Sequence, residues 1–292
     1  MIAEQFVNGL VFALSYFLFA VTFLPQFGIL RIPNLAFGEV LTASAMVGVA
    51  TATAVGGGAS VSLVTAAIVA SALGSAVHFI GVRPLGDVTN PQSPSHLTCL
   101  ISTMGCGLLI QNTLIFKWGG NPVPFPRFTE KNVFISGVQI QATTLFLFAF
   151  VVAIGGGLIA LLHNSVFGVK LRSIAEDRRL AAATGVNVPQ IEITAIVASY
   201  FCAGLAACFV FQQNGWVSPF VGLGYSLKAM IVLVLAGRDR IGLLLPIAVI
   251  VGLLEAYTVG FISSGYRDAV AFGALLLFVT LRTHLFRQKV AF

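Results

Sequence analysis

The sequence predicts an all-α polytopic membrane protein of about 8–9 transmembrane helices, some of them broken or re-entrant. Three observations predict it. Of 292 residues, 58% are hydrophobic and 9% are charged, against roughly 45–50% and 25% in a soluble domain. That leaves too little charge to cover a water-facing surface. Mean hydropathy is +0.97. Apolar runs of about 20 residues, the length a helix needs to cross the hydrocarbon core, recur along the chain. Together these exclude an ordinary cytosolic enzyme, a disordered chain and a disulfide scaffold.

The first run is 6–24. Met1 to Asn8 carries Glu4 and Gln5 and no Lys or Arg, whereas a secretory leader begins with basic residues. A retained first span is therefore expected. Pro25 and Pro33 follow and bracket a stretch that breaks the helix. Further spans are expected at 36–55, 60–82, 97–116, 142–162, 191–211 and 241–262. The small residues of 42–60 and 64–76 suit close helix packing. Two shorter runs remain, 227–237 and 269–282. Gly222 and Gly224 precede the first and Arg238-Asp239-Arg240 ends it, the pattern of a broken or tilted helix.

Two connections are long. Segment 117–141 carries Pro122, Pro124 and Pro126 and reads as an extended stretch followed by a hairpin. Segment 163–190 is the most polar part of the chain. Nine crossings place the two termini on opposite sides of the membrane, and charge chooses between them. With the C-terminus inside, Arg31, Arg83, Lys170, Arg172, Arg178, Arg179, Arg238, Arg240, Arg282, Arg287 and Lys289 are cytoplasmic, leaving Lys117, Arg127, Lys131 and Arg267 outside. This follows the positive-inside rule. It puts 117–141 outside, 163–190 inside, and the N-terminus outside. The same rule accounts for the net charge of +6 without nucleic acid.

Chemistry-bearing motifs are missing from the sequence. Cys99, Cys106, Cys202 and Cys208 lie in apolar runs with no CxxC pair, so no metal site is expected. There is no GxxxxGK[ST], no HExxH and no GxSxG with acid and histidine partners. The chain is expected to bind no cofactor itself and to perform no covalent chemistry. If ATP drives it, another subunit binds the nucleotide.

Within 163–190, the stretch SIAEDRRLAAATG (173–185) predicts one short helix. Leu171, Ile174, Leu180 and Ala183 share a face, with Glu176, Asp177, Arg178 and Arg179 on the wetter side. Ser173 is the expected N-cap, with Glu176 completing a capping box. Gly185 is the expected left-handed stop. A helix adhering to lipid shows a wide apolar face with Trp or Phe. This one offers alanines and both signs of charge, which suits docking against another protein.

Ionisable and amide residues inside spans are functional candidates by default, because burying a charge there costs about 2.5–3.5 kcal/mol on insertion scales. They are Asn34 and Glu39 beside the proline break, Gln111 and Asn112 late in 97–116, Lys228 at the start of the short run, and Glu255 deep in 241–262. Glu39 either faces a ligand path or snorkels to the inner interface. Lys228 and Glu255 are expected to pair, since each would otherwise be an isolated charge.

AEDRRLAAATGVN (175–187), GILRIPNLAFGEV (28–40), GVRPL (81–85), LISTMGCGLLIQN (100–112), SPFVGLGYSLKA (218–229), Glu255 and YRDAVAF (266–272) together resemble permease subunits of branched-chain amino acid ABC importers. That wider family includes urea and short-chain amide permeases. The resemblance runs from about 6 to 282 and departs from the family at VLAGRDRIGLL (234–244) and RTHLFRQ (282–288). It implies an ABC importer permease fold: one transmembrane permease domain over 1–292, a periplasmic loop at 117–141 and a coupling loop at 163–190. It implies that Ser173, Ala175, Glu176, Asp177, Arg178, Arg179, Ala182 and Gly185 engage an ATPase. The translocation path would include Asn34, Glu39, Gln111, Asn112, Lys228 and Glu255. The implied partners are a second homologous permease, two cytoplasmic ATPases carrying ATP and Mg, a periplasmic solute-binding protein and the bilayer of a bacterial inner membrane. The solute would be small and polar or zwitterionic: a branched-chain or hydrophobic amino acid, urea or an amide. A stand-alone secondary transporter or channel using Glu39 and Glu255 is the alternative.

Overall fold

In the computed structural model, residues 2–85, 94–126, 132–135, 138–237 and 241–266 are described, together with 269, 270, 272, 273, 276 and 280. Helix α1 (Ile2–Phe23) runs on through a wide turn, Leu24–Ile29. α2 is Phe37–Val55, and α3 (Gly58–Val77) continues in tighter and wider turns to Leu85. α4 is Pro94–Trp118. α5 (Ala142–Phe150) and α6 (Gly156–Asn164) are joined by a wide turn at Val151–Gly155. α7 (Val166–Glu176) and α8 (Arg178–Ala183) precede α9 (Val188–Asn214), α10 (Gly222–Ala236) and α11 (Leu244–Phe261).

Seven helical stretches among the described residues are long and apolar enough to cross a membrane. Each coincides with an expected span. α10, with 15 residues, is the short helix expected near 227–237. The expected run 269–282 lies almost entirely outside the described residues, as do Arg127, Lys131, Arg238-Asp239-Arg240, Arg267 and the basic residues after 280.

The connections set the relative sidedness. Strand β1 (Val123–Pro124) pairs antiparallel with β4 (Trp216–Val217), and Phe125 N donates to Gly215 O at 3.0 Å. The expected hairpin in 117–141 forms between β2 (Asn132–Ile135) and β3 (Val138–Gln141), Asn132 opposite Gln141. These strands therefore sit at the C-terminal end of α9, while α7 and α8 lead into its N-terminal end. Segments 117–141 and 163–190 thus lie on opposite sides. α1 runs parallel to α10: the Phe19 ring meets Tyr225 at 5.1 Å, and Gly28 lies by Leu233. Its N-terminal end is therefore on the side of 117–141.

Small residues carry the central packing. α1 crosses α11 where Gly9 and Ala13 meet Gly252, and α3 crosses α9 where Ala66, Ala67 and Ala70 meet Gly204. Hydrocarbon supplies no hydrophobic drive between helices, so close van der Waals approach has to hold them. The aromatic core comprises Tyr16, Phe19, Phe23, Phe37, Tyr200 and Phe211, all essentially buried. Conversely α4 turns Leu97, Ile101, Leu109 and Phe116 outward, a surface for lipid or another subunit.

Candidate functional site

The proline break builds the first part of the site. Pro25 has no N–H to donate and crowds the preceding turn. The helix widens there, with Leu30 N donating to Pro25 O at 3.1 Å and Ile32 N to Gln26 O at 3.0 Å. Arg31 then takes φ +59°, and the chain runs non-helically through Pro33 to the start of α2.

This irregular backbone lies deep within the bundle. Phe37, the first residue of α2, stacks 4.3 Å from Phe23 and meets Tyr200 in a tilted contact at 5.6 Å. Tyr200 falls midway along the 27-residue α9. Non-helical backbone at such depth needs internal partners, and a polar lattice supplies them. Asn34 Nδ2 donates to Tyr200 Oη at 2.7 Å and to Gln26 Oε1 at 3.4 Å. Its Oδ1 accepts from Ala36 N at 3.0 Å. Gln26 Nε2 donates to Ser199 Oγ at 3.3 Å, and Ser199 Oγ donates to Thr22 O. Leu35 N donates to Thr103 Oγ1 at 3.2 Å.

A second helix starts at the same place. Gly38 of α2 and Gly222 of α10 touch backbone to backbone. A Cβ on Gly38 would lie 1.8 Å from Gly222 O, and one on Gly222 would lie 2.7 Å from Glu39 Oε2. Ser226 bridges the crossing, accepting from Gly38 N at 2.5 Å and donating to Leu35 O at 3.4 Å. Glu39 is 4% exposed, so it does not snorkel. Its carboxylate lies against the first turn of α10, beside Gly222, and its Oε2 lacks a hydrogen-bond partner among the described residues. A carboxylate at a helix N-terminus meets the positive end of the helix dipole. Two helix starts facing each other inside a membrane bundle form the kind of junction that holds polar solutes or coupling ions.

Lys228 and Glu255 come together elsewhere, between α10, α11 and α1. Lys228 Nζ lies 2.8 Å from Glu255 Oε1, with the side chains 7% and 0% exposed. Tyr16 completes the cluster: its hydroxyl donates to Glu255 Oε2 at 2.5 Å, and Lys228 Nζ donates to the same hydroxyl at 3.3 Å. Tyr16 gave no signal in the sequence beyond a hydroxyl inside an apolar run. Lys228 is also among the residues that line a cavity of about 270 Å³, with Asn214, Trp216, Phe220, Val221, Gly224 and Tyr225. Gln111 and Asn112 join neither cluster. Gln111 Nε2 donates to Pro219 O at 3.3 Å. Asn112 is exposed and donates to Leu108 O of its own helix, because its position on α4 faces away from the bundle.

The single helix expected over 173–185 is two helices. Ser165, not Ser173, caps α7, accepting from Gly168 N at 3.0 Å. Ser173 lies inside α7 and its Oγ donates back to Lys170 O. Asp177 breaks the run in an extended conformation. Its Oδ1 accepts from Arg179 N at 2.8 Å and Leu180 N at 3.0 Å, so local side-chain capping outcompetes the continuous helix. The break also rotates the faces. Leu171 and Ile174 are buried as expected, but Ala181 is buried in place of Leu180 and Ala183. Leu180 is 63% exposed, beside exposed Ala182 and Ala183.

Gly185 stops α8 at φ +86°. Gly185 N donates to Ala182 O and Val186 N to Ala181 O, the paired bonds of a Schellman motif. Arg178 ties α8 to α9 through Glu192, Nη2 to Oε2 2.9 Å. Arg172 donates to the Leu162 and His163 carbonyls, closing the corner between α6 and α7. Glu176, Asp177, Arg178 and Arg179 are exposed and Ala175 is half-buried. Ser165, Arg172 and Glu192 have roles that sequence reasoning missed. Only Ser165, two residues before Phe167 in a polar stretch, carried a capping signal.

The chain is similar to known proteins over most of its length. The family model described as branched-chain amino acid transport system / permease component matches residues 5–280. The high-affinity branched-chain amino acid transport system permease protein BraD of Pseudomonas aeruginosa is 28% identical over 96% of this chain and 93% of its own. The corresponding permease protein LivH is 25% identical in Salmonella typhimurium and 24% in Escherichia coli, each over 94% of this chain and 91% of the relative. No solved structure matches the chain closely enough for comparison.

Proposed function

The chain belongs to the family of permease components of branched-chain amino acid transport systems, and on that premise we propose that it is one transmembrane half of an ATP-driven importer. A solute-binding protein delivers a branched-chain or other small apolar amino acid at the 117–141 face. A second, homologous permease completes the path, and two cytoplasmic ATPases, which bind the ATP and Mg, dock on α7 and α8. This orientation puts the N-terminus outside and the C-terminus in the cytoplasm of a bacterial inner membrane.

The observation that carries the reading is the build of α8. Leu180 is 63% exposed on a helix capped at one end by Asp177 and at the other by Gly185, and clamped to α9 by Arg178. An apolar side chain held out on a rigid element gains about 25 cal/mol per Å² of apolar area when a partner covers it. Both signs of charge around it set the partner's register. A rigid connection lets ATPase closure move α9, and with it the junction of Asn34, Glu39 and Tyr200. Transport is then the differential stabilisation of two arrangements of that junction.

The test is reconstitution of the full chain with and without its ATPase and permease partners. Leucine uptake is expected only with the ATPases and ATP. Leu180→Asp is expected to insert and fold normally yet fail to retain the ATPase on co-purification. Uptake by the chain alone, driven by a proton gradient, would overturn the proposal in favour of a secondary carrier.

A further inference from the structure

The outward face of α4 stays uncovered among the described residues, and α4 is among the least buried of the seven spans. Leu97, Ile101, Met104, Leu108, Leu109 and Phe116 point away from the bundle, from about half to almost fully exposed. Together they leave on the order of 800 Å² of side chain uncovered, close to what one partner buries in a stable interface. Lipid alone does not account for this face. Thr98, Gly105 and Asn112 are exposed along it at seven-residue intervals, and Ile101 and Leu108 alternate with them. That three-and-four spacing is the seam along which two helices pack. Gly105 lies at its centre, where a Cβ would meet no atom within 4 Å. Asn112 turns a carboxamide outward, its Nδ2 donating to Leu108 O at 2.8 Å. By contrast α11 turns Leu245, Ile250, Leu254 and Phe261 outward, a wholly apolar face suited to lipid.

We infer that the second permease docks on this face, its corresponding helix crossing α4 at Gly105. The inference rests on the permease reading above and gives the pair its contact surface. Both permeases present their cytoplasmic loops to the ATPases, so they cross the membrane in the same sense. An axis normal to the membrane then relates them and sets like surface against like, which makes the crossing of the two helices parallel. Hydrocarbon gives no hydrophobic drive between helices, so close approach decides which faces associate, and Gly105 permits it. Glycine weakens a helix interior, a cost that lipid contact does not offset and a tight crossing does. Asn112 supplies the register. A carboxamide is donor and acceptor at once, so it hydrogen-bonds a polar group at the same height on the other helix. One polar residue in an apolar seam selects one alignment over its slipped neighbours.

The test uses the full chain co-expressed with the second permease and the ATPases. Gly105→Phe fills the crossing from a position open to the outside. The melting temperature of the purified chain is expected to stay at the wild-type value, while recovery of the second permease falls about tenfold or more. Gly156→Phe on α6, equally open, is the control and is expected to recover the second permease in full. Asn112→Leu is expected to lower recovery and Asn112→Gln to restore most of it. Equal recovery by Gly105→Phe and Gly156→Phe would leave α4 to lipid and overturn the interface, with the permease reading intact. Two differently tagged copies of this chain in one particle, separated by Gly105→Phe, would put a second copy on α4 and overturn the homologous permease as its occupant. If wild type recovers neither, the reading of the chain as half of a permease pair falls as well.

Discussion

Lys228 of α10 and Glu255 of α11 form a buried ion pair of 2.8 Å, and the Tyr16 hydroxyl of α1 touches both partners. Three helices are joined at one point. Removing one charge strands the other in a low-dielectric site, which costs about 3–5 kcal/mol, whereas removing both together is close to neutral. Lys228→Leu and Glu255→Leu are each expected to lower yield and thermal stability sharply, and the double variant to recover most of the loss. Melting curves of detergent-purified protein check this; additive losses would count against the pair.

Gly38 is expected to tolerate no side chain. Its Cβ would lie 1.8 Å from the Gly222 carbonyl oxygen, and backbone cannot rotate away. Gly38→Ala should cost at least the roughly 1–3 kcal/mol of an overpacked core by separating α2 from α10. Gly105→Ala, where a Cβ meets nothing within 4 Å, should be neutral or slightly stabilising. Equal melting temperatures for the two variants would refute the backbone contact.

Asp177 caps α8 through two backbone N–H groups. Asp177→Ala is expected to cost about 0.5–2 kcal/mol of local stability, and Asp177→Ser to retain most of it. Frayed α8 should appear as faster hydrogen exchange over 178–183. No difference in exchange between the Ala and Ser variants would remove Asp177 from the capping role.

Asn34 links the break after α1 to the middle of α9 through Tyr200. Asn34→Ala leaves the buried Tyr200 hydroxyl without that donor, a loss of about 1–3 kcal/mol. Tyr200→Phe should cost less, since it removes the hydroxyl itself. A double-mutant cycle should show clear coupling; a coupling energy of zero would mean that the two residues act independently.

What the sequence established follows from local physics. Hydropathy located the spans because each crossing must be apolar over a fixed length. Pro25 and Pro33 located the break, Gly185 the end of α8, and the isolation of two charges in apolar runs the Lys228–Glu255 pair. The family resemblance was legible in short motifs spread along the chain, and the family match over 5–280 bears it out. What escaped were relationships between segments far apart in the chain. Tyr16 lies 239 residues from Glu255, and Gly38 lies 184 positions before Gly222; neither contact leaves a periodic trace.

The division at Asp177 escaped for a different reason. Helix propensity and an Asp N-cap compete within one short segment, and the burial of Ala181 rather than Leu180 shows how that competition ended. The sequence by itself determined that this is a polytopic membrane protein and where its helices cross, because solvation by lipid acts on each segment separately. Only the tertiary structure decided which polar groups meet, since a buried hydrogen bond or ion pair exists only when two segments are brought together.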